Sequence, residues 1–158
     1  MLRFMAMYSI VLMIHSWIRW LALLGGMGAT LAVLTGRVEG PESPADRWGL
    51  FLMMALDIQM LLGLMLYLVL SPFTREAMQN FSLAMQTPGL RFWAVEHVTT
   101  MFLAVILVHV GRVMGRKAAT PAAKRTRLLI FFGLATILMF VGTPWPGMTN
   151  GRPLFRIN

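Results

Sequence analysis

Apolar residues fill this chain in long blocks, and polar residues gather between the blocks more than within them. The first block runs from about Tyr8 to Thr35, broken only by His15, Ser16 and Arg19. It is longer than the roughly 20 residues a bilayer core requires, so it predicts a helix that tilts or protrudes. The next stretch, RVEGPESPADR at 37–47, is a loop. Gly40-Pro41 and Ser43-Pro44 break any helix there, and Ser43 or Asp46 can cap the next one. A second helix is predicted from about Trp48 to Leu70, with Asp57 and Gln59 in its middle and Ser71-Pro72 ending it. A third is predicted over about 91–113 and a fourth over about 128–143, ended by Pro144-Trp145-Pro146. The stretch 72–87 is too short and too polar to span. Ala77, Met78, Phe81, Ala84 and Met85 share one helical face, away from Arg75, Glu76, Gln79 and Asn80. That pattern predicts a short helix lying in the membrane interface.

The expected fold is therefore all-α. It is a single transmembrane domain over 1–158, a four-helix bundle running up-down-up-down, with a short interfacial helix between helices 2 and 3. Composition agrees: 58% of residues are hydrophobic and 13% charged, and the mean hydropathy is +0.70. So few charges are unusual in a soluble domain. The N-terminal apolar run is too long for a signal-peptide core and lacks a clear small-x-small cleavage site, so it is read as a helix of the mature protein.

Charge adds orientation. The formal net charge is +8, but the basic residues lie mainly between the apolar blocks, which sets membrane topology and argues against nucleic-acid binding. Arg112, Arg116, Lys117, Lys124, Arg125 and Arg127 form a run without an acid. With Arg37 and Arg47 they outnumber Arg3, Arg75, Arg91, Arg152 and Arg156 on the other side. The basic side is expected in the cytoplasm and both termini outside. The absence of cysteine removes disulfides and thiolate metal sites. The 15 methionines are scattered, as flexible apolar filler is, rather than clustered as a copper site would be.

The ionisable residues inside the apolar blocks carry the candidate chemistry, because such groups usually face a protein interior, a cofactor or a polar cavity. His15 and His97 lie at about 10 Å below the same face on helices that run in the same direction. In this topology helices 1 and 3 face each other across the bundle core. Two imidazoles at one depth are the expected axial ligands of haem b, with Arg19 and Glu96 as further cofactor-binding candidates. His109 lies about 18 Å deeper than His97 and is read as a solvated or hydrogen-bonded residue. Arg19 is expected to pair with Asp57, at a similar depth, or with Glu96 or a ligand anion. The same histidines also suit a quinone carbonyl, with Glu96 as a proton path and Trp17, Trp20, Phe92 and Trp93 as aromatic walls. Gly25, Gly26 and Gly28 allow close approach of another helix or of a flat cofactor. No nucleotide-binding loop, nucleophile with base, or zinc-type histidine spacing is present.

HSWIRW within 8–20, LLGLMLY in helix 2, VEH at 95–97 and TPWPGM…GRPLF at 143–155 resemble a family of small bacterial four-helix membrane proteins commonly labelled cytochrome b-like. The resemblance covers roughly Tyr8 to Phe155. It implies a haem-b or quinone-associated redox protein in which His15, Arg19, Glu96 and His97 match the family pattern. Asp57 departs from it, because a histidine is expected there in many members. The expected function is b-type haem binding for membrane electron transfer, with the quinone pool as a candidate electron partner. From a different class comes a cofactor-free scaffold subunit of a larger membrane redox or photosynthetic complex.

Overall fold

The computed structural model describes residues 2–40 and 42–156. Pro41, half of the Gly40-Pro41 helix break, and the last two residues of the polar tail lie outside the described residues. Among the described residues six helices follow one another: α1 (Leu2–Leu34), α2 (Pro44–Leu70), α3 (Pro72–Gln79), α4 (Phe81–Gln86), α5 (Pro88–Arg116) and α6 (Pro121–Gly142). No strand occurs among the described residues. Helices α1, α2, α5 and α6 are long and apolar enough to cross a membrane. They form the expected up-down-up-down bundle. α1 packs on α2 and α6, α5 packs on the same two, and α1 and α5 stand on the diagonal.

All four long helices run beyond the predicted limits. α1 begins six residues early, at Leu2, and α2 four early, at Pro44. α5 runs three residues past Val113 to Arg116. α6 begins seven residues early, at Pro121. Proline at the first turn and a preceding side-chain cap explain two of the starts. Ser43 Oγ accepts the Asp46 N–H, and Thr120 Oγ1 accepts the Ala123 N–H. The basic run is thus mostly helical: Lys124, Arg125 and Arg127 sit on the first two turns of α6, and only 117–120 is loop. The predicted interfacial helix is two helices, because Asn80 leaves helical geometry (φ −145°) and caps α4 through the Leu83 N–H.

The end of the bundle that holds the basic loops is tightly packed. A Cβ on Gly25 would lie 3.0 Å from the Leu52 Cα, and one on Gly28 would enter the Trp48 ring. A Cβ on Gly26 would meet Met139 and the Thr136 hydroxyl. These glycines therefore seat α1 against α2 and α6, and none of them opens a slot for a flat ring. Ala29, Val33, Ala45, Leu52, Ala104, Val108, Leu128, Phe132 and Ala135 are buried around them. α1 stops in a turn that needs a left-handed residue, supplied by Gly36 (φ +73°). The Gly36 and Arg37 N–H groups bond back to Val33 and Ala32. Arg125 donates to the last carbonyls of α1, at Val33 (3.2 Å) and Leu34 (2.7 Å). This places a cation on the negative end of the helix dipole. Asp46 ties the loops together, accepting from Lys124 Nζ (2.6 Å) and Ser43 Oγ (2.6 Å). Its carbonyl takes Arg112 Nη1.

Candidate functional site

The opposite end of the bundle is hollow. α6 has 22 residues against 33 in α1. It ends at Gly142 and leaves the upper part of the bundle without a fourth wall. α3, the Thr143-Pro144 segment and Arg152 and Arg156 of the tail close most of the gap. Between them lies a mainly apolar cavity of about 120 Å³. His15, Ser16 and Arg19 of α1, Gln59, Gly63 and Tyr67 of α2, and Trp93, His97 and Met101 of α5 line it.

His15 and His97 meet here, as expected from their depths, with ring centroids 6.4 Å apart and planes at 68°. Gly63 makes room for the His15 ring, since a Cβ at that position would lie 3.3 Å from His15 Cε1. His15 Nε2 is 3.2 Å from the Gln59 side-chain nitrogen. With the amide in that orientation it donates to Nε2, which puts the imidazole proton on Nδ1. His97 takes its tautomer from a different source. Gly142 is the last residue of α6, so its carbonyl has no intrahelical partner, and His97 Nδ1 lies 2.8 Å from it. A carbonyl can only accept, so Nδ1 carries the proton and Nε2 keeps its lone pair. The turn before His97, Phe92–Glu96, is π-wound, as is the last turn of α2, Leu66–Leu70. Such turns are frequent at functional sites. The two are joined by the Tyr67 hydroxyl donating to the Ala94 carbonyl (2.8 Å). Phe92 and Trp93 pack on the His97 ring at 5.7 and 5.6 Å.

Other expected residues go elsewhere. Arg19 lines the cavity, but it pairs with neither Asp57 nor Glu96: its Nη2 donates to the Leu154 carbonyl (2.8 Å). Asp57 faces α5 and meets His109 Nε2 at 3.5 Å. The depths of Arg19 and Asp57 were compatible; their rotations about α1 and α2 are not. Glu96 points away from the cavity and pairs with Arg91 Nε (2.6 Å) at a half-exposed site. Trp17 and Trp20 do not wall the cavity. They donate to the Arg156 and Leu154 carbonyls and pack on Phe155, strapping the tail to α1. Gln59 is the cavity residue that helical spacing alone did not single out. Its signal was available, because an amide in the middle of a membrane span needs a partner.

Four buried side-chain polar atoms have no hydrogen-bond partner among the described residues: His15 Nδ1, Arg19 Nε, Gln59 Oε1 and Arg112 Nε. The first three belong to residues that line this cavity. Native structures contain few such atoms, and each normally has a reason. No group of three or more His, Cys, Asp or Glu side chains suited to a metal occurs among the described residues.

Haem b meets this site only in part. Two imidazoles that bind one metal from opposite sides, with bonds of about 2 Å, hold their centroids roughly 6 Å apart, close to the spacing seen. The His97 tautomer also suits a ligand, because its other nitrogen is tied to a carbonyl. However, His15 Nε2 is engaged by Gln59. A cavity of about 120 Å³ also has no room for a macrocycle, whereas a single six-membered ring is far smaller. The residues in this arrangement do not accommodate haem.

No family model, curated protein or solved structure matches the chain. The likeness to the cytochrome b-like family rests on the quoted motifs alone.

Proposed function

We propose that this protein is a multi-pass subunit of a bacterial inner-membrane redox complex, and that its cavity binds the head group of a quinone. The observation that carries this reading is the set of unpartnered polar atoms on His15, Arg19 and Gln59 beside one mainly apolar cavity. A quinone supplies what such a site lacks. It is flat and lipid-soluble, with a carbonyl oxygen at each end of the ring. His15 Nδ1–H is a donor suited to one carbonyl, and His97 Nε2 is an acceptor suited to a quinol hydroxyl. Phe92 and Trp93 hold the His97 ring, which keeps that acceptor in place. Electrons for the quinone would come from a redox centre in another subunit. The basic loops would face the cytoplasm, which puts the cavity in the outer half of the membrane.

The test uses the purified protein in nanodiscs. A short-chain ubiquinone or menaquinone analogue should quench its tryptophan fluorescence saturably, and His97→Ala should weaken binding tenfold or more. A visible spectrum is recorded on the same sample. A Soret band with sharp reduced α and β bands, and no quinone binding, would overturn the quinone reading in favour of haem. Neither signal would leave the cofactor-free scaffold. Reporter fusions at Lys117 and after Asn158 test the orientation, with Lys117 expected inside and the C-terminus outside.

A further inference from the structure

Asp57 lies at the midpoint of the 27-residue helix α2. It takes no part in the cavity. Its side chain is 44% exposed and that of its partner His109 is 45% exposed, on the outward surface between α2 and α5. Ionisable groups at this depth almost always face a bundle interior or a polar cavity, because acyl chains cannot solvate them. The pair is also incompletely bonded. His109 Nδ1 lies 3.0 Å from the Val105 carbonyl, so that nitrogen carries a proton. His109 Nε2 and Asp57 Oδ1 stand 3.5 Å apart, beyond the length of a good hydrogen bond. The second carboxyl oxygen of Asp57 has no partner among the described residues.

We propose that a second copy of this chain packs on this face, making a two-fold dimer within the membrane. Two copies in the same orientation are related by an axis along the membrane normal, and such an axis preserves depth. Only groups at equal depth meet across it. Asp57 and His109 already stand at one depth, since they touch within a single chain. His109 Nε2, held only loosely at 3.5 Å from its own Asp57, can therefore turn to the open carboxyl oxygen of the second copy's Asp57, and the exchange is mutual, as a self-complementary interface requires. Met54 and Leu61 on α2, and Ile106 and Val113 on α5, are exposed one turn from the pair. They supply an apolar seam on either side of it. This inference does not depend on the quinone reading.

The chain has no native cysteine, so a single introduced thiol reports on one position. Met54→Cys or Leu61→Cys should form a disulfide-linked dimer on mild oxidation in proteoliposomes at low protein-to-lipid ratio. Ile137→Cys, exposed on α6, should not. Adding Asp57→Leu and His109→Leu together removes the polar pair without stranding either partner. That change should reduce the Leu61→Cys cross-link at least fivefold. Equal cross-linking at all three positions, or none at Met54 and Leu61, would overturn the dimer. So would full cross-linking of the Leu/Leu variant, because the pair would then not hold the interface. If the Leu/Leu variant fails to fold, the contrast between positions 54, 61 and 137 in the otherwise unchanged chain still decides. A monomer when purified that cross-links only to another protein in native membranes would also overturn it, and would assign the face to a different partner.

Discussion

At the basic end of the bundle, glycines at 25, 26 and 28 draw α1 onto its neighbours, and Arg125 and Asp46 tie the loops to the helix ends. At the other end, α6 stops early and two short helices and a tail close over a cavity lined by His15, Gln59 and His97. The first region satisfies nearly all of its buried polar atoms within the chain; Arg112 Nε is the exception. The second leaves three unmet beside a cavity. The contrast teaches where stability and binding reside. One half is built to close on itself, and the other keeps polar capacity for something outside the chain.

That division predicts which substitutions affect folding and which affect binding. Gly28→Leu should have the largest effect. It forces a side chain into the Trp48 ring, and overpacking of this kind costs about 1–3 kcal/mol, occasionally more. The loss should appear as a lower melting temperature and poorer monodisperse yield in detergent. If Gly28→Leu leaves the melting temperature unchanged, the basic end is not the rigid half. His97→Ala should weaken quinone binding tenfold or more. Its stability cost should be about 1–3 kcal/mol, because the Gly142 carbonyl is left without its partner. Gln59→Leu removes the partner of His15 Nε2 along with one unpartnered oxygen. Thermal unfolding should change little, and quinone affinity should fall severalfold. A Soret band appearing only in this variant would show that Gln59 keeps a metal off His15. Glu96→Gln should have the smallest effect. It breaks an exposed ion pair with Arg91, worth about 0–1 kcal/mol. A strong loss of binding in that variant would return Glu96 to the site.

The four spans and the neighbourhood of His15 and His97 were legible in the sequence. Apolar block length and axial rise set the depth of a residue, and no knowledge of packing is needed for that. Rotation about each helix was not legible. It decided that Arg19 turns to the tail, that Asp57 turns to His109 and that Glu96 turns outward to Arg91. The helix starts at Pro44 and Pro121 were hidden for a different reason. Charged first turns look like loop to a hydropathy reading, although Ser43 and Thr120 before proline are capping signals. The role of Gly142 was invisible at the sequence level. It depends on α6 ending where His97 can reach its carbonyl.

The early end of α6 also bears on the surrounding lipid. Its uncharged stretch, Leu128 to Gly142, rises only about 22 Å. A hydrocarbon core is about 30 Å thick, and a span shorter than the core is accommodated by thinning the bilayer or by anchoring the flanking residues in the interface. In a bilayer of that thickness the headgroup layer on this side of the protein would be drawn toward the tail. Trp145, whose indole N–H reaches back to the Phe140 carbonyl, and the tail-bound Trp17 and Trp20 sit at that level. Such amphipathic rings favour the membrane–water boundary. A lipid-soluble ligand diffusing in this leaflet would meet hydrophobic mismatch along α6 before it met the protein's aqueous face. Were the cavity to take a quinone as proposed, the short helix would mark the side of its entry, through the membrane rather than from the water.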